Sequence, residues 1–375
     1  MGIFNEAIKN FLSPIADLLD DDSISEIMIN GAREIFIERD GIVTKTNKSF
    51  RDEEDLLSAL RAIAQSVGRT ISQDEPRLDA YLADGSRICA VVAPLSKKGT
   101  TVAIRKFSQS KLGLKDLIKF GALSKEAARF LDICVHLGKN ILVSGGTGSG
   151  KTTILNILGS RIPRGERIIT IEDSLELQIQ HDHLVNFVAR KQDQQNNKAP
   201  ITIRDLVHSA MRLRPDRIVI GEVRSEEALD LVQIMNTGHS GSMGTIHANN
   251  PKDACIRLEL LCMLGDTKIP PELLRKMIGS ALQIIVQCNR YHDGKRRLSH
   301  ISEILGIDHQ GNYLVRDIFK WVQKSREEDG SLVGEMIPCG VLPSFFEDII
   351  VNKLPFPREL FELPAWASTG LKKAV

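Results

Sequence analysis

One octapeptide, GGTGSGKT at Gly145–Thr152, restricts this chain more than any other stretch. It follows a compact apolar run, NILVS, and opens into TTILNILG, where apolar residues recur at helical spacing. A strand therefore ends where a helix begins, with only a glycine-rich bend between them. Glycines allow the backbone to curl until its N–H groups and the positive end of the helix face one point, which suits an anion. The pattern G-x-x-x-x-G-K-[ST] in that context is a phosphate cradle. It assigns Gly145, Gly146, Thr147, Gly148, Ser149, Gly150, Lys151, Thr152 and Thr153 to nucleotide binding, with Lys151 reaching the β- and γ-phosphates and the Thr152 hydroxyl presented to Mg²⁺.

A cradle binds, whereas hydrolysis also needs carboxylates to hold the metal and orient water. Two apolar runs supply them. RIVIGE delivers Glu222 and RIITIED delivers Glu172 and Asp173, each at the C-terminal end of an expected strand, where open parallel sheets place ligands. The expected cofactors are ATP and Mg²⁺, the metal being held by Thr152 and Glu222. GHSGSMGTIHANNP adds two histidines, His239 and His247, without further ligands at zinc spacing. His247 ends the strand GSMGTIHA and is expected to sense the γ-phosphate. His239, in the Gly-Ser loop feeding that strand, is expected to couple the site to its surroundings.

Strands alternating with helices from NILVSG to GSMGTIHA predict an α/β domain with a mostly parallel sheet covered on both faces. Before it, EIMIN, EIFIERD and IVTKT alternate in the manner of strands, separated by the turn signals Asn30-Gly31 and Asp40-Gly41. A helix over DEEDLLSALRAIAQSVG follows, then a hairpin turning at Asp84-Gly85 and a last strand, TTVAIRKF. The division expected is an α+β domain over 1–107, a polar linker over 108–115 and the α/β domain over 116–375. Toward the C-terminus, PPELLRKMIGSALQIIVQ reads as one helix, RLSHISEILGI and YLVRDIFKWV as strands, and the end as Pro-rich. The amide-rich ARKQDQQNNKAP, residues 189–200, reads as a surface loop.

Composition narrows the partners. The formal net charge of +1 gives no bulk attraction to nucleic acid, and 5% aromatic residues are few for base stacking, so no nucleic-acid partner is expected. Six scattered cysteines with no CxxC pair suit buried thiols in a reducing compartment. The N-terminus lacks a secretory signal and no apolar run reaches the ~18 residues of a membrane span. The expected location is the cytoplasm.

The order GGTGSGKTT, TIEDSLEL, LRPDRIVIGEVRSEEALD and NTGHSGSMGTIHANNP resembles the four boxes of the secretion ATPase superfamily, and within it the CpaF type of tight-adherence pili. LLDDDSISEIMINGAREIFIERDG, LDAYLADGSRICAVVAPLSKKGTTVAIRKFS and RRLSHISEILGID extend the likeness over nearly the whole chain. The resemblance implies a homohexamer in which a PAS-like N-terminal domain precedes a RecA-like P-loop domain, with ATP in the cleft between them. It also implies docking on inner-membrane platform proteins of a pilus or secretion system, hence a peripheral membrane location. On the matching positions Glu172 activates water and Glu222 is the Walker B carboxylate, Arg224 belongs to the same box, and Arg87 and Arg105 reach the nucleotide phosphates. A guanidinium aimed at the transferring phosphate stabilises its spreading charge by ~10³-fold or more in rate.

Departures from the family pattern are Lys198-Ala199-Pro200, where a glycine-containing stretch is expected, and Ser240, where an acidic residue is usual. The chain also starts close to the N-terminal domain, without the long leader many such proteins carry. Downstream of the phosphate loop there is no ABC-type Ser-Gly-Gly signature, and the tetracysteine insertion of type II secretion ATPases is likewise absent. A conjugation-type secretion channel shares all four boxes and is the alternative reading; a DNA-translocating ATPase fits the charge and aromatic content less well.

Overall fold

The computed structural model describes residues 11–39, 41–82, 84–106, 112–190, 199–265, 268–364 and 366–367. The chain divides into two compact units, residues 1–111 and 112–375. Residues 108–111 of the expected linker 108–115 and most of the amide-rich loop 189–200 lie outside the described residues, and Leu114 and Lys115 already belong to a helix.

In the N-terminal unit, helix α1 (Ala16–Asp20) leads into strands β1 (Ile24–Asn30), β2 (Ile35–Arg39) and β3 (Ile42–Lys45). Helix α2 (Glu53–Ser66) and strands β4 (Arg77–Tyr81), β5 (Arg87–Val91) and β6 (Thr101–Arg105) complete it. The strands form one antiparallel sheet in the order β3-β2-β1-β6-β5-β4. Asp52 caps α2 by accepting the Asp55 N–H at 2.8 Å. The spacing of Leu56, Leu60 and Ile63 turns one helical face onto the core side of the sheet, where Ile27, Ile29, Ile88 and Ile104 are buried. Alternation leaves Arg87, Cys89 and Arg105 on the other face.

The larger unit starts with helices α3 (Leu114–Lys119) and α4 (Lys125–His136) and then alternates. Its elements run β7 (Ile141–Gly145), α5 (Lys151–Gly159), β8 (Ile168–Glu172), β9 (Leu184–Val188), α6 (Ile203–Met211), β10 (Arg217–Ile220), α7 (Glu227–Asn236) and β11 (Met243–Ile246). Helices α8 (Pro251–Cys262) and α9 (Pro271–Ala281) precede strands β12 (Ile284–Arg290), β13 (Arg296–Ile307), β14 (Tyr313–Arg326) and β15 (Leu332–Pro338), with a short helix α10 (Phe346–Val351) beyond. All nine strands form one sheet, β15-β14-β13-β12-β7-β11-β10-β8-β9. From β12 to β9 the neighbours are parallel; β13, β14 and β15 extend the sheet as an antiparallel meander. The sheet is therefore mixed, parallel in the half that holds the glycine loop. Every residue of β7, β8, β10 and β11 is buried, as strands covered on both faces must be.

One core lies between the sheet and α4–α5, where Phe130 packs with Phe319, Phe345, Phe356 and Phe361. The other lies under α6–α9. The single helix read over PPELLRKMIGSALQIIVQ is two elements: α9 stops at Ala281 and Ile284–Arg290 is strand β12. Ile284, Ile285 and Val286 are β-branched and fully buried, and at Gln283 the chain turns a corner where its Oε1 accepts the Asn140 N–H at 2.7 Å. Cys134, Cys255, Cys262 and Cys288 are buried, and burial pushes the last three up to about 12; Cys89 is exposed.

Asn140, 1% exposed, brackets three segments just before β7. Its Nδ2 donates to Met235 O (3.1 Å) and Ala281 O (2.7 Å), while its Oδ1 accepts from Gly241 N (2.8 Å) and Ser242 N (3.1 Å). Truncation strands four buried backbone groups. Asn140→Ala should destabilise this unit by about 3 kcal/mol or more, measured as a lowered urea midpoint.

Candidate active site

The parallel strands bring their C-terminal ends to one edge of the sheet, and each expected group except His239 in this unit follows such an end. β7 runs into the glycine loop, which turns into α5 at Gly150 (φ +96°), a left-handed position that other residues rarely adopt. Gly145 is needed for a different reason: a Cβ there would lie 2.4 Å from Cys288 O on β12 and 2.5 Å from Ser149 Oγ. Inside the curl, the Gly146 carbonyl accepts Lys151 Nζ at 2.9 Å and Ser149 Oγ at 2.8 Å. Lys151 is 7% exposed, so its ammonium is held within the cradle.

Strand β8 ends at Glu172, 2% exposed. Its Oε1 accepts the N–H groups of Glu176 (3.0 Å) and Leu177 (2.9 Å), while its buried Oε2 has no hydrogen-bond partner. Burial raises its pKa to about 7, against the lowering effect of those two N–H groups. A carboxyl poised near neutrality, with one oxygen unspent, has the properties of a general base.

Glu222, two residues past β10, is in a different state. Burial pushes its pKa up, but the hydrogen bond and charge of Arg224, with the charge of Lys151, outweigh it and hold it below the ordinary value. It therefore stays ionised. Its Oε2 accepts Arg224 Nη2 at 2.7 Å, and Arg224 Nη1 lies 3.7 Å from Asp173 Oδ2. Thr152, Glu172, Asp173, Glu222 and Arg224 line one cleft.

β11 lies between β7 and β10, which puts His247 between Lys151 and Glu222. Its Nε2 is 3.3 Å from Lys151 Nζ and 3.0 Å from Glu222 Oε1. Burial and the Lys151 charge lower its pKa, with Arg224 and Arg257 adding to that and Glu222 opposing, so the ring is neutral near pH 7. One nitrogen cannot accept from an ammonium and donate to a carboxylate at once. The two contacts are alternatives set by the tautomer.

His239 does not join this group. It precedes β11 and sits at the opposite edge of the sheet, about 13 Å of strand away from His247, in a cleft lined by His136, Glu166, Asp216 and Arg217. Its backbone carbonyl accepts Ser242 Oγ at 2.8 Å, and its Nδ1 is buried without a partner. The sequence reading gave His239 a coupling role from the loop feeding β11; the strand itself separates that loop from the phosphate end. Arg87 and Arg105 belong to the N-terminal unit, where they face each other in register across β5 and β6. Arg87 is held by Asp79 through two 2.9 Å hydrogen bonds.

The sequence reading missed a second basic feature. Arg296 Nε donates to Gly148 O at 2.9 Å from the β12–β13 hairpin, which the helical reading of β12 concealed. Asp293-Gly294, a strong hairpin signal, marked the turn. The donor set suits Mg²⁺ with a nucleotide: a threonine hydroxyl and carboxylates beside a glycine cradle, leaving phosphate oxygens to complete the shell. Among the described residues no cluster of three or more His, Cys, Asp or Glu side chains is placed to hold a metal on its own.

Residues 9–325 match the family described as Type II/IV secretion system protein. The chain belongs to that family. It is 33% identical over 326 residues to the type IV secretion system protein VirB11 of Brucella suis, covering 80% of this chain and 90% of that one. An uncharacterised protein of Methanocaldococcus jannaschii is 43% identical over 232 residues, 60% of this chain but only 32% of its own length. The crystal structure of the pilus retraction motor PilT with bound ADP shares the fold, with a TM-score of 0.53 at 20% identity over 91% of this chain and 86% of that one. For this secretion-system protein, no helix among the described residues is long and apolar enough to cross a membrane.

Glu172 makes stability pH-dependent in a direction opposite to most carboxylates. Because its pKa rises from 4.5 to about 7 on folding, its contribution is full below 4.5 and is lost as pH rises through 7. Relative to Glu172→Gln, the nucleotide-free protein should lose roughly 3 kcal/mol between pH 5 and pH 8, measured by urea unfolding.

Proposed function

We propose that this chain is an ATP hydrolase of the CpaF type, a homohexamer that powers assembly or retraction of a tight-adherence or related pilus. It works in the cytoplasm, held at the inner membrane by platform proteins. The observation that carries the hydrolytic reading is the buried, unpartnered Glu172 Oε2, in one cleft with Thr152 and Glu222 and beside a lysine-bearing glycine loop.

Bound Mg²⁺ would neutralise charge on the β- and γ-phosphates. Lys151 leaves the Gly146 carbonyl for phosphate oxygens, a stronger, charge-assisted exchange. Thr152 and ionised Glu222 would hold the metal. Glu172 takes the proton of the attacking water through Oε2, while its Oε1 stays fixed by two backbone N–H groups. His247 reads the γ-phosphate by changing partner: a phosphate that captures Lys151 frees Nε2 to donate to Glu222. Arg87 and Arg105 are the proposed arginines for phosphate charge. They stand directly opposite each other across β5 and β6, so both guanidiniums present to the same face of that sheet.

The likeness to VirB11 favours a second reading, the ATPase of a conjugation-type IV secretion channel. Deleting the gene and imaging cells by electron microscopy separates the two: loss of surface filaments supports the pilus reading, and intact filaments with lost conjugal transfer support the channel. Sedimentation with a non-hydrolysable ATP analogue should give a hexamer, and a monomer with and without it would overturn the ring.

Purified protein should hydrolyse ATP with kcat/KM rising through a pKa near 7. Glu172→Gln should lower kcat about 100-fold or more while retaining ATP binding, and Lys151→Ala should lose binding and turnover together. Wild-type turnover by Glu172→Gln would remove Glu172 from the chemistry.

A further inference from the structure

Strand β12 continues past the end of β7. Cys288 is paired with Gly145, so Asn289 and Arg290 run on alongside the glycine loop before the hairpin turns. The return strand pairs Arg296 with Arg290, which puts both side chains on the same face, toward the loop. A Cβ added at Gly148 would lie 3.8 Å from Arg290 Nη1, and one at Gly150 3.7 Å from Arg296 Cδ. Arg296 Nε donates to Gly148 O at 2.9 Å.

The next residue, Arg297, points to the other face and anchors the hairpin. It forms a two-pronged ion pair with Asp293 (3.0 and 2.6 Å), the side chains being 5% and 3% exposed. Its guanidinium lies 5.2 Å from the Tyr291 ring centre and 5.0 Å from that of Trp321. Asp293 also accepts the N–H groups of Lys295 and Leu332, both at 3.1 Å. A hairpin held this firmly fixes where Arg296 can reach.

We infer that Arg296 is a positioning residue of the nucleotide site, clamping the glycine loop through the Gly148 carbonyl, with Arg290 adding positive charge at the same rim. In a trans peptide the C=O and the following N–H point opposite ways. Drawing the Gly148 carbonyl outward to Arg296 thus turns the Ser149 N–H inward, where it lies 3.4 Å from Gly146 O, on the side a phosphate would occupy. Without the clamp this glycine peptide is free to rotate, and ordering it then opposes binding. The inference rests on the nucleotide reading of the same loop.

Full-length wild type, R296A, R296Q and R296K are compared by titration with Mg²⁺ and a fluorescent ADP analogue, and by hydrogen exchange of the nucleotide-free proteins over residues 145–151. R296A should bind ADP about tenfold more weakly, raise KM for ATP more than it lowers kcat, and exchange faster in the loop, with an unchanged melting temperature. R296K, which keeps charge and a donor, should recover most of the affinity, and R296Q, which keeps only a donor, less. Should R296A not fold, the R296K and R296Q comparison carries the same test. Failure of the wild type to bind ADP would overturn the nucleotide reading; wild-type affinity and exchange in the folded variants would overturn the clamp.

Discussion

The parallel pairing of β12 with β7 governs the rest of the larger unit. At its end, Cys288 and Gly145 approach so closely that no side chain fits between them: a Cβ on Gly145 would sit 2.4 Å from the Cys288 carbonyl. Two backbones at that spacing leave the chain after β7 one way out, a curl toward α5. The curl in turn places Lys151 on the first turn of the helix, with its ammonium pointing back into the loop. On the other side, β11 and β10 then bring His247 and Glu222 within reach of that ammonium. Fold and site follow from one contact between strands.

The site departs from the rules that the surrounding core obeys. Around it, buried strands are saturated with apolar contacts and paired backbone groups. Within it, a carboxyl oxygen of Glu172 is buried without a partner, a lysine is nearly enclosed, and His247 faces two contacts of which it can satisfy one. Each is costly by itself, and under the proposed reading each finds its partner in a phosphate or a water. The glycine loop meanwhile keeps its lysine on its own Gly146 carbonyl.

Much of this was legible in the sequence because parallel strands announce themselves. Continuous apolar runs ending in Gly145, Glu172, Glu222 and His247 identify strands buried on both faces, and the C-terminal ends of such strands share an edge. The limits have equally physical causes. Residues 271–287 contain a good helix former and a good strand former in succession, and periodicity alone does not mark the corner at Gln283; with β12 went the hairpin and Arg296. His239 lies in the loop feeding β11, as the sequence reading had it, but the reading gave no measure of how far from His247 the intervening strand puts it. Strands β9 and β15 went unread since β9 has no buried residue, β15 has only the adjacent pair Met336 and Ile337, and neither shows an alternating pattern over its length.

Cys89 gives the molecule an unplanned handle. Burial withholds Cys134, Cys255, Cys262 and Cys288 from solvent, whereas Cys89 is exposed, two residues along β5 from Arg87 and on the same face of the N-terminal sheet. A thiol-reactive dye under gentle conditions would thus attach beside the paired arginines before it reached the cores. Only the half-buried Cys339 competes with it among the remaining thiols, so one substitution there leaves a single reporter position from which the surroundings of that arginine face can be followed optically.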